Sequence, residues 1–301
     1  MVKTIVRPLA ALAMSSICAA ALAADAVAIP EQTALLERLQ NGRYSGVYEQ
    51  PVQLENGRFE GEPFEAGGAS RPIVTLVEGA VAYGDLNGDG REDAVAFLGE
   101  SSGGSGMFTY LAAVTADSQG DIPALLLGDR VQVRSFGIRD GQLVIDLVSA
   151  GPDEAACCPT LKLSKSYRLR DGALAETGAE ELGQLSIADL EEVEWRLTHL
   201  QWRQPVPDGV KITAQFKDDK VAGSAGCNRY FASVEGDGPR EIVIGQSGAT
   251  RMMCPPPVME QEDKFLAALQ KVTGFSFIMA RLALTYQDDD GMHTMLFAPE
   301  R

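Results

Sequence analysis

A short acidic segment near residue 90 has the residue types and spacing of a calcium-binding loop. Asp85, Asn87 and Asp89 stand at alternate positions, Asp93 follows, and the Arg91 carbonyl falls between the last two acids. Calcium takes several hard oxygen ligands, and short loops supply them by placing Asp or Asn at alternate positions with a glycine that turns the chain. We therefore predict a structural calcium ion at these five residues and no catalytic role for the loop.

A polar turn is the alternative interpretation of the same segment. The bidentate Glu of a helix–loop–helix calcium hand is missing, because Ala96 occupies its position. Residues 81–83 and 94–98, which flank the loop, have the composition of strands. The segment thus resembles the strand-flanked acidic loops of FG-GAP propeller repeats, in which the ion is structural. A propeller needs several such repeats and only one copy occurs here, so a long hairpin turn with solvated acids stays open as the alternative.

Adjacent cysteines form a second candidate for chemistry. Beyond the first thirty residues the chain has four cysteines, Cys157, Cys158, Cys227 and Cys254, and an even number in an exported protein is typical of disulfides. Cys157 and Cys158 could form a vicinal disulfide, bond to separate partners, or remain a reduced pair that serves as thiols or metal ligands. A strained vicinal bond is easily reduced, so redox sensing is one hypothesis for this pair.

The first residues have the layout of a secretory signal. A basic start, an apolar run and small residues before Ala23 predict that residues 1–23 are removed. The apolar run is shorter than the roughly 20 residues that span a bilayer, and no later segment is long and apolar enough. Lipidation at Cys18 is disfavoured because the preceding residue is Ile17 instead of a small one. We therefore predict a periplasmic or secreted protein without an integral membrane segment after cleavage.

The charge of the chain limits its partners. Its formal net charge is −16 at pH 7, and loss of the signal, which contains two bases and no acids, makes the remainder more negative. Such a surface repels phosphate backbones and anionic headgroups. We therefore do not expect nucleic acid as a partner. The expected partner is an envelope protein or a small ligand. An inhibitor of a basic secreted hydrolase is an alternative that the charge would suit.

Turn signals divide the first half into short strands. Asn56-Gly57, Asp140-Gly141 and Asp171-Gly172 each separate apolar or alternating runs, and such pairs supply the positive φ angles of tight hairpins. The first half is therefore predicted to be mostly antiparallel β. The predicted strands are residues 73–77, 94–98, 108–115, 131–136, 143–148 and 161–169.

Two domains follow from this pattern, and the predicted fold class is β-rich α+β. A short amphipathic helix over residues 31–40 lies in a linker of residues 24–43. The β-rich domain with the acidic loop covers residues 44–180, and a small α+β domain covers residues 190–301. The acid-rich residues 176–185 are the predicted boundary.

The second domain is predicted to have two helical segments among its strands. Ser186 has the spacing of an N-cap with Asp189 three residues later, which predicts a helix over residues 186–195. Apolar residues recur at helical spacing over residues 258–272. The predicted strands are residues 211–216, 230–235, 241–244, 282–286 and 294–298.

Several landmarks of this second domain resemble the META domain, a small bacterial envelope module of heat-inducible lipoproteins. They are Trp195 and Leu197, the segment VAGSAGCNRY at residues 221–230, the segment TRMMC at residues 250–254, and Glu262 with the apolar positions that follow it. The resemblance implies a compact α+β fold at the periplasm or outer membrane, an association with envelope stress, and no established catalytic activity.

The resemblance also matches Cys227 with Cys254. A bridge between them would stabilise the fold by roughly 2–4 kcal/mol. Asn228, Arg229 and Arg251 form a polar cluster beside these cysteines, and Arg251 is expected to reach Glu260 or Glu262. The cluster is either a ligand site or a brace between loop and helix.

Catalysis has little support in the sequence. His199 and His293 are the two histidines, and no nucleophile elbow, zinc helix, phosphate loop or dinucleotide fingerprint occurs. We therefore expect an exported, non-catalytic envelope protein that acts as a stress-related binding or scaffold module. The alternatives are a calcium-stabilised ligand- or protein-binding module, the hydrolase inhibitor, and a thiol-based redox sensor.

Overall fold

The structure is a computed structural model that describes residues 25–191 and 193–300. The predicted signal, residues 1–23, lies outside this part together with Cys18. None of the helices in the described residues has both the length and the apolar character needed to cross a membrane. The described residues are mostly antiparallel β with two α-helices, as the predicted β-rich α+β class requires.

The first half begins with a helix and continues as strands. Helix α1 (Asp25–Gln40) starts before the predicted residue 31 and ends where predicted. The strands are β1 (Arg43–Ser45), β2 (Val52–Gln53), β3 (Arg58–Glu60), β4 (Ile73–Gly84), β5 (Asp93–Ser101), β6 (Phe108–Val114), β7 (Ile122–Asp129), β8 (Gln132–Arg139), β9 (Gln142–Ser149), β10 (Leu161–Arg170) and β11 (Ala173–Gln184).

The second half follows a 3-10 helix at Ile187–Leu190. Its elements are β12 (Glu194–Gln201), β13 (Gln204–Pro205), β14 (Thr213–Lys217), β15 (Lys220–Ser224), β16 (Arg229–Glu235), β17 (Val243–Ile244), β18 (Gly248–Ala249), α2 (Pro256–Leu269), β19 (Val272–Ile278), β20 (Arg281–Asp288) and β21 (Gly291–Pro299).

The described strands form three sheets. The first has the order β2-β1-β7-β6-β5-β4-β3, and the second has the order β11-β10-β9-β8. The third has the order β17-β16-β15-β14-β12-β21-β20-β19, with β13 beside β12 and β18 beside β16. Neighbouring strands are antiparallel, with the exception of the parallel pair β1 and β7.

The two predicted Asp-Gly hairpins are confirmed. Asp140 and Gly141 have φ angles of 50° and 69°, and they join β8 to β9. Asp171 and Gly172 have φ angles of 51° and 79°, and they join β10 to β11. Positive φ at both central residues is the type I′ geometry, whose twist matches that of the paired strands.

The prediction of a helix over residues 186–195 is wrong. The Ser186 backbone amide does donate to Asp189 Oδ2 at 2.9 Å, but the helix is a single 3-10 turn. Trp195 lies in β12 and pairs with Ala214 on one side and Pro299 on the other. The local helix signal is therefore overridden by backbone hydrogen bonds to two neighbouring strands and by burial of the Trp195 indole.

The stretch that contains the predicted boundary, residues 176–185, is mostly strand. Residues 176–184 continue β11, which pairs with β10 along its length. The side chains of residues 176–184 are exposed, so the acidic composition of this stretch is that of a solvated edge strand. The chain passes to the third sheet after Gln184.

Strand β5 is buried on both faces and thereby fixes the acidic loop. Ala94 and Leu98 belong to the core beneath α1, together with Leu39. Val95 and Phe97 point the other way, into the core shared with the second sheet. Because successive strand residues alternate between faces, the run that starts at Asp93 is anchored from both sides.

Backbone and side-chain contacts join the first half to the third sheet. The Ala280 amide donates to the Val133 carbonyl at 2.9 Å, and the Phe277 amide donates to Gln132 Oε1 at 3.0 Å. The Arg134 guanidinium carbon lies 5.4 Å from the centre of the Phe277 ring. Strands β8 and β19 are therefore packed against each other.

Candidate functional site

The acidic loop connects β4 to β5 and is ordered by its own side chains. Asp85 accepts hydrogen bonds from the Gly88 amide at 2.6 Å and from the Gly90 amide at 2.9 Å. Both glycines have positive φ, 84° and 83°, a region in which L side chains are strained. Asp85 is thus held at the start of a tight turn.

The side chains of Asn87 and Asp89 likewise accept hydrogen bonds from backbone amides further along the loop. Asn87 Oδ1 accepts from the Asp89 amide at 2.8 Å, and Asp89 Oδ1 accepts from the Arg91 amide at 2.8 Å. The Arg91 amide and the Asn87 side chain lower the pKa of Asp89. The Arg91 side chain leaves the loop and pairs with Asp117 at 3.0 Å.

Asp93 is the buried member of the loop. Its Oδ2 accepts from the Leu86 amide at 2.9 Å and from the Asn87 amide at 3.2 Å. Its Oδ1 is buried without a hydrogen-bond partner, and burial raises the pKa of this carboxyl although the two amides oppose the shift. A buried, unpaired carboxylate oxygen is costly and calls for an explanation such as an ion or a water. Among the described residues, no three His, Cys, Asp or Glu side chains form a metal-binding group.

The adjacent cysteines are free and exposed in the structure. Glu154 fixes their loop, because its Oε2 accepts from the Gly151 amide at 3.1 Å and from the Thr160 amide at 3.0 Å. The pair is not bridged in the structure, and redox sensing at these thiols stays a prediction.

The two thiols are not equivalent. A hydrogen bond from Cys157 lowers the pKa of the Cys158 thiol, and the Arg240 guanidinium lowers it further. The same bond raises the pKa of the Cys157 thiol. Cys158 is therefore the thiol that ionises first, beside a cation contributed by the second half of the chain.

Of the polar cluster predicted beside Cys227, Asn228 takes part in a buried set of hydrogen bonds that joins the loop to α2. Glu262 of α2 accepts from the Asn228 amide at 2.6 Å, from the Asn228 side chain at 2.7 Å and from the Cys227 amide at 3.1 Å. Asn228 Oδ1 accepts from the Met252 amide at 2.7 Å. Cys227 and Cys254 are joined by a disulfide with Cα atoms 5.9 Å apart, so the bridge and the hydrogen bonds hold the same loops to the helix.

The expected ion pair of Arg251 is absent from the described residues. Glu262 is used by Asn228, and Glu260 pairs with Lys264 at 2.7 Å. The Arg251 and Arg229 side chains are exposed. The structure thus brings Asn228 and Glu262 together and leaves the two arginines at the surface.

An apolar pocket of about 510 Å³ is a feature that the sequence did not predict. It lies between the first sheet and the third, at the packing of β8 against β19. Its walls include Ile73 and Val77 of β4, Phe108 of β6, and Phe277 and Ile278 of β19. No sequence signal marks it, because its walls come from strands up to two hundred residues apart.

Comparison with known proteins supports the assignment of the second half. The family model of the META domain matches residues 188–300, as the resemblance predicted, and it associates this third of the chain with stress-related envelope proteins. A solved chain titled "NMR structure of the protein from Burkholderia xenovorans" is 24% identical, with 38% of this chain and 86% of that chain covered and a TM-score of 0.31. No curated protein matches the chain significantly.

Proposed function

We propose that this chain is an exported, non-catalytic protein of the cell envelope that acts as a stress-related binding or scaffold module. The observation that carries the proposal is the META domain at residues 188–300 with its Cys227–Cys254 bridge. Disulfides form and persist in oxidising compartments and are rare in the cytosol. A bridged META domain is therefore suited to a compartment outside the cytoplasm.

Cell fractionation with intact-mass analysis tests this proposal. We expect the protein in the periplasmic or extracellular fraction, with a mass that corresponds to loss of residues 1–23 and to one disulfide. A variant without residues 1–23 should stay in the cytoplasm with Cys227 and Cys254 reduced. Full-length protein in the cytoplasm would contradict export, and abundance unchanged by heat or envelope damage would contradict the link to stress.

A calcium-stabilised module is the second candidate. It is favoured by Asp93, whose Oδ1 is buried without a partner at the base of the acidic loop. Asp85, Asn87, Asp89 and the Arg91 carbonyl are the remaining oxygen donors that would hold the ion. A bound calcium ion supplies the positive charge that offsets repulsion among these carboxylates. The module would then bind its partner only in its calcium-loaded form.

A further inference from the structure

The rim of the apolar pocket exposes unusually large apolar side chains. Met107 is 65% exposed, Trp202 is 59% exposed, Phe108 is 37% exposed and Ile278 is 36% exposed, and all four line the pocket. Contiguous exposed apolar surface of this kind marks a ligand or interaction site in a soluble domain. The volume of about 510 Å³ is that of a small-molecule site.

Arg240 is the charged side chain of the pocket that has no acidic partner. Its Nε atom is buried without a hydrogen-bond partner, and no carboxylate in the described residues lies within ion-pair distance. Arg134 also has a buried, unpaired Nε, but its guanidinium pairs with Asp189 at 2.9 Å. The Arg240 guanidinium, whose neighbour is the Cys158 thiol instead of a carboxylate, therefore lies in the pocket wall of a strongly acidic protein.

The other charged groups of the pocket have hydrogen-bond or ion-pair partners. Glu100 accepts a hydrogen bond from the Tyr48 hydroxyl at 2.6 Å and another from Ser102. Arg130 pairs with Asp129 at 2.7 Å and donates to the Ser105 carbonyl. Among the described residues, Arg240 is thus the cation of the pocket without a carboxylate partner.

The backbone of Arg240 is held in an uncommon conformation. Its φ angle is 68°, and the Phe275 amide fixes it by donating to the Arg240 carbonyl at 3.0 Å. A side chain at Gly274 would approach this carbonyl to 3.3 Å. Residues held at positive φ by their surroundings cluster at functional sites, and here the constraint fixes the residue that carries the cation.

We propose that this pocket binds a small amphipathic molecule with an apolar chain and a single carboxylate, the carboxylate being held by Arg240. The apolar walls cover the chain, and the Arg240 guanidinium holds the anion in a charge-assisted pair. This inference specifies the ligand class of the proposed binding role and rests on that role. Its test on purified protein is independent of where the protein is exported.

Titration with dodecanoate below its micellar range tests the site, with 1-dodecanol as the neutral counterpart of the same chain length. Calorimetry should give one dodecanoate per chain. Trp202 emission should shift to the blue as the ligand covers the indole, whereas Trp195 is already buried. Trp202→Phe should remove the emission change but keep the calorimetric signal.

Two variants separate the anion contact from the apolar contact. Arg240→Gln should weaken dodecanoate binding by about tenfold or more, since hydrogen bonds to charged groups are worth that factor, and should leave dodecanol unaffected. Ile278→Glu places a charge in the wall at a half-exposed position and should weaken both ligands. Arg170→Gln, which removes an exposed charge outside the pocket lining, should change neither.

Three results would overturn the proposal. The first is no saturable dodecanoate binding, and the second is equal affinity of Arg240→Gln and the unmodified protein. The third is binding at several sites that Ile278→Glu does not reduce. If fractionation places the protein outside the cytoplasm and dodecanoate still does not bind, the ligand class is wrong while the export role stands.

Discussion

Glu262 accepts hydrogen bonds from both the backbone and the side-chain amide of Asn228, at 2.6 and 2.7 Å, across 34 residues of sequence. The carboxylate is buried, and these bonds tie helix α2 to the loop before β16. The disulfide of Cys227 lies beside them. The same short segment is therefore fixed by two different kinds of interaction.

Glu262→Gln should destabilise the protein by about 2–3 kcal/mol, because one buried amide loses its charged acceptor and meets an NH₂ group instead. Urea unfolding measures this loss. Glu260→Gln, at an exposed i,i+4 pair, should change the free energy of unfolding by less than about 0.5 kcal/mol. A comparable loss in Arg251→Ala would contradict the brace, because Arg251 is exposed and has no ion pair among the described residues.

Removal of the Cys227–Cys254 bridge should cost about 2–4 kcal/mol, since the closed loop no longer restricts the unfolded chain. The double variant Cys227→Ser/Cys254→Ser compared with unmodified protein in urea gives this value. Cys157→Ser/Cys158→Ser is the matched control and should be nearly neutral, because both thiols are exposed. Equal losses in the two double variants would show that the bridge does not stabilise the fold.

Calcium should raise the thermal stability of chelator-stripped protein. At a calcium concentration a hundred times the Kd the gain is about 2.7 kcal/mol, and magnesium should give less because it demands stricter geometry. Asp89→Ala and Asp93→Asn should remove the calcium-dependent shift, whereas Asp153→Asn on a different loop should keep it. An unchanged melting temperature in unmodified protein would make the segment a polar turn.

Alkylation should distinguish the two adjacent thiols by pH. Because the pKa of Cys158 is lowered and that of Cys157 is raised, iodoacetamide should modify Cys158 at a lower pH than Cys157, as tandem mass spectrometry can resolve. Cys157→Ala should move the Cys158 profile towards higher pH, and Arg240→Gln should do so to a smaller extent. Identical profiles for both thiols would contradict the hydrogen bond between them.

Features that depend on neighbouring residues were predictable from the sequence. The Asp140-Gly141 and Asp171-Gly172 turns follow from the φ preferences of two residues, and α2 follows from the spacing of its buried side chains. The disulfide came from the META resemblance, which identified the two cysteines as a pair.

Features that depend on distant residues were not predictable. Trp195 lies in a strand because β14 and β21 flank it, and neither is close to it in sequence. The sequence predicts Glu262 as a possible partner of Arg251, but its carboxylate accepts three buried hydrogen bonds instead, two from Asn228 and one from the Cys227 amide. The proximity of Arg240 to Cys158 depends on how the two halves pack, for which the sequence has no local signal.

The packing of β8 against β19 makes the two halves of the chain depend on each other. If residues 188–300 were excised, the Ala280 amide would lose its acceptor, the Val133 carbonyl. The Phe277 ring would lose its contact with the Arg134 guanidinium. The META domain is therefore not structurally independent of the first half of this chain. Swapping in a META domain from another protein should therefore require matching changes on β8 and β19.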